Sequence, residues 1–270
     1  MPKLRLRDLD LHYERRGAGP PLLMVMGWRA NLDWWPVELL AGLEAHHELI
    51  LFDNRGSGRT GDPGGRFGIP QMAEDAAGLL DGLGIARADV FGVSMGGMIA
   101  QELAIRQPER VRRLVLACTH CGRHGVRWSP EQTVAWRRYL RAPHSLERQL
   151  AYLLFSEDLS VTDPARYAEL GRLVATAPIT PWASLKQFEA ILRFDTFARL
   201  PRIGAPTLVV TGERDLMVPP ANSRLLTSRI PDARLVRFPG TGHALLGERA
   251  DELAPLLDEF LAPEADRLVA

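Results

Sequence analysis

The chain has 270 residues, of which 46% are hydrophobic and 24% are charged, a mixture typical of globular proteins. A chain of this length can form a hydrophobic core without metals or crosslinks, which excludes fibrous and disulfide-stapled classes. Lysine plus arginine and aspartate plus glutamate each number 33, so the formal net charge is zero and no strong positive field is available to hold a polyanion. We therefore expect no nucleic-acid partner, and no membrane partner either, because no apolar run approaches the ~18 residues of a membrane span.

The first half of the sequence alternates short apolar runs with helical patterns, which is typical of βα units on a mostly parallel sheet. Strands are predicted at residues 9–15, 21–26, 47–52, 88–93 and 111–117. Helices are predicted at residues 34–45, 71–83 and 95–106. Glycine and proline crowd residues 53–68, so this stretch is predicted to be a loop.

The pattern changes after residue 119. Helical patterns follow one another at residues 131–141, 146–155, 164–175 and 184–194, with no comparable strand between them. The strand series then resumes, with strands at 206–211 and 234–238 and helices at 220–229 and 251–261. We therefore predict a core built from residues 1–119 and 200–270, with residues 120–199 inserted as a helical cap over the carboxyl ends of the strands, where such sheets bind ligands.

A candidate nucleophile lies where a predicted strand gives way to a predicted helix. The stretch Gly92-Val-Ser94-Met-Gly96 matches G-x-S-x-G, and a strand–turn–helix context is what this motif requires of a nucleophile elbow. The turn is sharp and strained, so side chains two positions either side of the serine would collide with the neighbouring strand and helix. The alternative is that Ser94 only caps the helix.

A serine hydroxyl needs a base, and the base needs a group that fixes its tautomer. His243 follows the last predicted strand in a glycine-bearing loop, and is the best-placed histidine for the base. Asp215 follows the penultimate strand and completes the order Ser, Asp, His of this motif, with Glu213 as its close rival. Backbone capping in a turn is the alternative role for Asp215.

With these residues, the chain resembles α/β-hydrolase-fold serine hydrolases from Leu9 to Leu261. The resemblance implies a mostly parallel central sheet flanked by helices, with an inserted helical cap. It also implies that the segment Met26-Gly27-Trp28 provides an oxyanion hole from the backbone N–H groups of Trp28 and Met95, with Met26 where the family usually has histidine.

A second loop of the family is matched by Asp53-Asn-Arg55-Gly-Ser-Gly58. This stretch resembles the family's D-x-R-G-x-G loop, and we expect a structural ion pair between Asp53 and Arg55.

Within the family, the residues around Ser94 are similar to those of enol-lactonase-like and methyl-esterase-like members. The implied activity is hydrolysis of a small-molecule carboxylic ester or lactone through an acyl-enzyme, without a cofactor. A serine at the elbow disfavours epoxide hydrolases and haloalkane dehalogenases, which resemble this chain in fold but use aspartate. Residues expected at the substrate are Gly27, Trp128, Trp136 and Trp182, although packing among the cap helices is the alternative role for the tryptophans.

Other functions remain open from the sequence alone. The same triad occurs in ligand receptors with little turnover, and in cofactor-free haloperoxidases and perhydrolases. Cys118 and Cys121, the only cysteines, invite a metal site with His124, but a second pair of ligands at the usual spacing is missing, so we expect no metal. The few cysteines, and the lack of an apolar segment after the basic start, predict a cytoplasmic protein without a signal peptide. The oligomeric state stays open.

Overall fold

The computed structural model describes residues 2–141, 153–155, 159–165, 167–169, 172 and 179–262. Its described strands form one sheet of eight, in the spatial order β1-β2-β4-β3-β5-β6-β7-β8. The strands are β1 Lys3–Leu6, β2 Leu9–Arg16, β3 Pro21–Val25, β4 Glu48–Phe52, β5 Ala88–Val93, β6 Val111–Ala117, β7 Thr207–Gly212 and β8 Ala233–Phe238. The pairs β1–β2 and β2–β4 are antiparallel, and the others are parallel.

Helices lie between the parallel strands and after the last of them. They are α1 Val37–Glu44, α2 Ile69–Gly82, α3 Met95–Arg106, α4 Pro130–Arg141, α5 Leu159–Thr162, α6 Pro181–Arg193, α7 Ala221–Arg229, α8 Leu245–Glu248 and α9 Ala250–Leu261. Short 3₁₀ turns lie at Leu32–Trp34, Pro108–Arg110 and Phe197–Arg202. Helices α4, α5 and α6 all fall between β6 and β7, which are neighbours in the sheet. The predicted helices at 146–155 and 164–175 lie largely outside the described residues.

The core lies on both faces of the sheet. On β3, Leu23 and Val25 pack with the face covered by α2 and α3, whereas Leu22 and Met24 pack with the face covered by α1 and α9. All four side chains are buried. Burial on both faces explains why this strand reads as a continuous apolar run rather than an alternating one.

The predicted architecture is confirmed: a mostly parallel central sheet is flanked by helices. The sequence prediction missed β1, a short edge strand whose side chains alternate between half-buried and exposed. Among the described residues, none of the helices combines the length and the apolar character that crossing a bilayer requires.

Candidate active site

Ser94 occupies a strained turn between β5 and α3. Its φ of 55° lies in the left-handed region, which non-glycine residues rarely adopt. Its side chain makes no capping hydrogen bond to the helix, which argues against the alternative that Ser94 is only an N-cap. Its backbone N–H donates to Ala117 O on the neighbouring strand at 2.9 Å, so the sheet itself fixes the turn.

Nearby backbone atoms leave no room for a side chain at either glycine of the motif. A Cβ on Gly96 would lie 2.0 Å from Val25 O, and a Cβ on Gly92 would lie 2.4 Å from Gly96 O. Neither carbonyl belongs to a flexible side chain that could move away. The close packing of β3, β5 and α3 at the elbow therefore depends on the absence of side chains at both positions.

Asp215 and His243 lie after adjacent strands and contact each other. Asp215 Oδ2 lies 2.8 Å from His243 Nδ1, and Asp215 Oδ1 accepts hydrogen bonds from the backbone N–H groups of Met217 at 2.8 Å and Val218 at 2.7 Å. Both side chains are buried. An acceptor at Nδ1 favours the tautomer that carries its proton there, which leaves Nε2 as a base. Glu213, the rival acid, instead pairs with Arg237 at 3.2 Å and is partly exposed.

Ser94 and His243 line the same cavity, whose volume is about 1320 Å³. Within the described residues, the Ser94 hydroxyl makes no hydrogen bond. Ser94 and His243 are therefore related by facing the same cavity, not by a hydrogen bond between them. Hydrogen bonds of this kind are often long in ligand-free enzymes and shorten when substrate binds. The remaining walls come from the segment after β3, the end of β6 and the helices between β6 and β7.

The segment after β3 runs directly against Ser94. A Cβ on Gly27 would lie 3.2 Å from Ser94 Cβ and 3.7 Å from Ser94 Oγ. The backbone N–H groups of Trp28 and Met95 donate to none of the described residues, and Met95, as the first residue of α3, has no helical acceptor. Asn54 Nδ2 donates to Met26 O at 2.8 Å and anchors the segment, a contact that the sequence did not reveal.

Helix α6 holds this segment from the other side. Trp28 Nε1 donates to Ser184 O at 3.0 Å, and Arg29 N donates to Gln187 Oε1 at 3.1 Å. The Gln187 amide also donates to Arg55 O at 3.1 Å and to Ser57 Oγ at 2.9 Å. Sequence reasoning missed Gln187, and its only signal was a glutamine on the apolar side of a predicted helix.

Helix α4 contacts the loop that carries Asp215 through a buried glutamine in the same way. Gln132 Nε2 donates to Met217 O at 2.6 Å, and the Met217 N–H is one of the two backbone donors to Asp215 Oδ1. Gln132 is buried. The inserted helices thus reach both the segment after β3 and the loop of Asp215.

The predicted substrate residues separate into two groups. Gly27, Trp128 and Trp136 line the cavity. Trp182 lies outside the lining, is 64% exposed and has the Lys186 ammonium 5.8 Å from its ring. It lies on the outer surface of α6, because the opposite side of the helix is occupied by the contacts to Trp28 and Arg29. Phe188 on α6, whose ring centroid is 5.3 Å from that of Trp28, lines the cavity instead.

The expected ion pair between Asp53 and Arg55 is wrong. Asp53 accepts from Leu32 N at 2.8 Å and from Arg59 N at 2.7 Å, so loop backbone satisfies its carboxylate. Burial raises the pKa of Asp53, and these two donors offset part of that rise. Arg55 forms a two-pronged pair with Asp75 on α2, at 2.5 and 2.6 Å.

The structure does not favour the metal site that Cys118, Cys121 and His124 suggested. His124 Nδ1 bonds to Asp195, whereas burial raises the pKa of Cys121 to about 11. Cys118 is buried beside the pair of Asp215 and His243, with the potential ligand atoms of all three within 4.8 Å of one another. Burial, with the charge of Asp215, raises the pKa of the Cys118 thiol, which disfavours the thiolate that a metal would need.

Several of the known proteins that this chain matches are named as hydrolases of different kinds. A family model described as "alpha/beta hydrolase fold" matches residues 20–250. A protein named as a carbamate hydrolase, from Azorhizobium caulinodans, is 33% identical over 96% of this chain and 98% of its own length. A poly(3-hydroxyalkanoate) depolymerase from Ectopseudomonas oleovorans is 32% identical over 98% of this chain and 94% of its own. The crystal structure of the enol-lactonase from Burkholderia xenovorans LB400 superposes with a TM-score of 0.81, at 29% identity over 96% of this chain and 99% of that one.

Proposed function

Because the chain belongs to the α/β hydrolase fold family, we propose that it is a serine hydrolase that cleaves a carboxylic ester or lactone. The family and the names of its relatives support a hydrolase. The observation that carries the finer proposal is the buried contact of 2.8 Å between Asp215 and His243, in the loops that face the same cavity as a serine at a strained elbow.

In the first half of the reaction, Ser94 Oγ attacks the substrate carbonyl carbon while His243 Nε2 takes the hydroxyl proton. Asp215 holds Nδ1–H and stabilises the imidazolium. The N–H groups of Trp28 and Met95 donate to the carbonyl oxygen as it becomes an oxyanion. The imidazolium then gives its proton to the alcohol oxygen, the bond from carbon to that oxygen breaks, and an acyl-enzyme remains.

The second half repeats these steps with water. His243 takes a proton from the attacking water, and the N–H groups of Trp28 and Met95 again bind the oxyanion of the tetrahedral intermediate. When this intermediate collapses, His243 returns the proton to Ser94 Oγ, which is the leaving group. The acid is released and the enzyme is restored. Apart from the substrate and the water, each step uses only side chains and backbone groups of this chain.

The test is a panel of p-nitrophenyl butanoate, a methyl ester and a lactone, assayed with the wild type and with Ser94→Ala. We expect the wild type to hydrolyse at least one of them, and Ser94→Ala to lose at least about 10³-fold in kcat. The melting temperature should change little, because the hydroxyl makes no hydrogen bond in the described structure. Full activity of Ser94→Ala would refute the proposal, and ligand-induced stabilisation without turnover would favour a receptor.

A further inference from the structure

The cavity contains a second histidine that the proposed reaction does not use. His120 lies three residues beyond the end of β6, the strand next to β5, and lines the cavity. Its backbone is tied to the elbow from two sides. The preceding residue, Thr119, donates from Oγ1 to Ser94 O at 2.7 Å, and Gln101 on α3 donates to His120 O at 3.1 Å. The position of His120 relative to Ser94 is therefore set by hydrogen bonds.

One hydrogen bond determines the tautomer of His120. The backbone N–H of Gly122 lies 3.0 Å from His120 Nδ1 and can only donate, so Nδ1 has no proton. The proton of the neutral ring is then on Nε2. Burial lowers the pKa of His120 to about 4, which keeps the ring neutral near pH 7.

The remaining donor has no acceptor among the described side chains and backbone groups. The ring of His120 lies 6.4 Å from the ring of Phe194 between centroids, and the apolar residues Val126 and Ile191 line the same cavity. In pockets that are mostly apolar, a few fixed polar groups determine the orientation of the ligand. A single neutral N–H group can satisfy an uncharged oxygen, whereas one neutral hydrogen bond does not offset the cost of burying a full negative charge.

We propose that His120 is a substrate-orienting residue, whose Nε2–H donates a hydrogen bond to an uncharged ether, ketone or hydroxyl oxygen of the substrate. This oxygen is distinct from the scissile carbonyl, whose oxygen has its own donors at Trp28 and Met95. The inference rests on the proposed function, because the ligand is the same ester or lactone. It narrows the substrate class to compounds with an additional oxygen.

Two substitutions separate the structural role of the ring from its role in the cavity. His120→Asn keeps an acceptor close to the position of Nδ1 for the Gly122 N–H, and loses the donor that reaches the cavity. His120→Gln keeps an N–H close to the position of Nε2, and loses the acceptor for Gly122. If the ring were only structural, His120→Asn would be the milder change.

The substrates are p-nitrophenyl hexanoate and three ethers of the same shape, in which oxygen replaces the methylene at C3, C4 or C5. For each variant we take the ratio of kcat/KM for each ether to that for hexanoate, and we compare this ratio with the wild-type ratio, so the intrinsic reactivities of the substrates cancel. For at least one ether we expect this ratio to fall about threefold to tenfold in His120→Asn, the range of one neutral hydrogen bond, mainly through KM. His120→Gln should keep most of the preference.

The proposal is overturned if all three ratios stay within twofold of wild type in His120→Asn. A binding measurement tests the role of His120 without turnover, so it still applies if the proposed hydrolase activity is not found. By isothermal titration calorimetry, the corresponding methyl esters are titrated into Ser94→Ala and into Ser94→Ala with His120→Asn. A preference for one ether that disappears in the second protein supports the role of His120 even without turnover. No preference, or no binding, contradicts it.

Discussion

The elbow and the inserted helices are both held next to the cavity, but by different means. At the elbow the contacts are mainly between backbone groups: Ser94 N donates to Ala117 O, and Val25 O of β3 lies 2.0 Å from the position that a Cβ of Gly96 would take. The inserted helices are held by side chains, with Gln187 bonded to the segment after β3 and Gln132 to the loop of Asp215.

For the proposed reaction, this difference means that Ser94 and the residues that would contact substrate respond differently to substitution. The hydrogen bond from Ser94 N to Ala117 O involves no side chain, so substitutions in the helices between β6 and β7 leave it in place. Contacts through two glutamines can be changed by single substitutions, and the helices that they hold carry much of the cavity wall. We therefore expect substitutions at the elbow to destroy the fold or the reaction, and substitutions in the insertion to change rates by smaller factors.

The largest effect is expected for Gly96→Ala. The added methyl group would lie 2.0 Å from Val25 O, so β3 or α3 must shift. We expect a loss of at least about 3 kcal/mol in the free energy of unfolding, measured by urea denaturation, together with loss of ester hydrolysis. Gly61→Ala is the matched control, because a Cβ there meets nothing within 4 Å. Equal stability of the two variants would contradict the steric account of the elbow.

Asp215→Asn should leave the fold intact and lower kcat by roughly 10⁴-fold, because the amide no longer fixes the proton on His243 Nδ1. Ester hydrolysis under saturating substrate measures this. Glu213→Gln serves as control, since Glu213 pairs with Arg237 rather than with the imidazole. If Glu213→Gln lowered kcat more than Asp215→Asn, the acid would be misassigned.

Gln187→Ala should have the smallest of these effects. It removes the acceptor of the half-buried Arg29 N and the donor to the buried Arg55 O, at a cost of about 1 to 3 kcal/mol in stability. A displaced Trp28 N–H would lower kcat by up to about 10²-fold. Glu189→Gln on the same helix, at the weak ion pairs of 3.8 and 3.9 Å, should change neither. An unchanged kcat in Gln187→Ala would mean that α6 does not position this segment.

The sequence was most informative where local pattern and tertiary role agree. The bounds of β5, α3 and β6 were predicted to the residue, because a doubly buried strand, an elbow and a helix leave little ambiguity there. The edge strand β1 was missed, since its four residues have no strong apolar signal.

Long-range partners were harder to predict from the sequence than the elements themselves. Arg55 pairs with Asp75 rather than Asp53, and nothing in the local sequence distinguishes these two carboxylates. The outward position of Trp182 and the inward position of Gln187 depend on how α6 is rotated against the core. The contact between Asp215 and His243 was expected from chain order, whereas the catalytic role of Ser94 stays a prediction.

The central claim is that one serine is activated by its surroundings. Incubation with a fluorophosphonate probe, followed by intact-mass and peptide mass spectrometry, tests it directly. We predict one adduct per chain, located on Ser94, which forms at least about 10²-fold more slowly in His243→Ala. An adduct on another residue, no adduct at all, or equal labelling of His243→Ala would contradict the account.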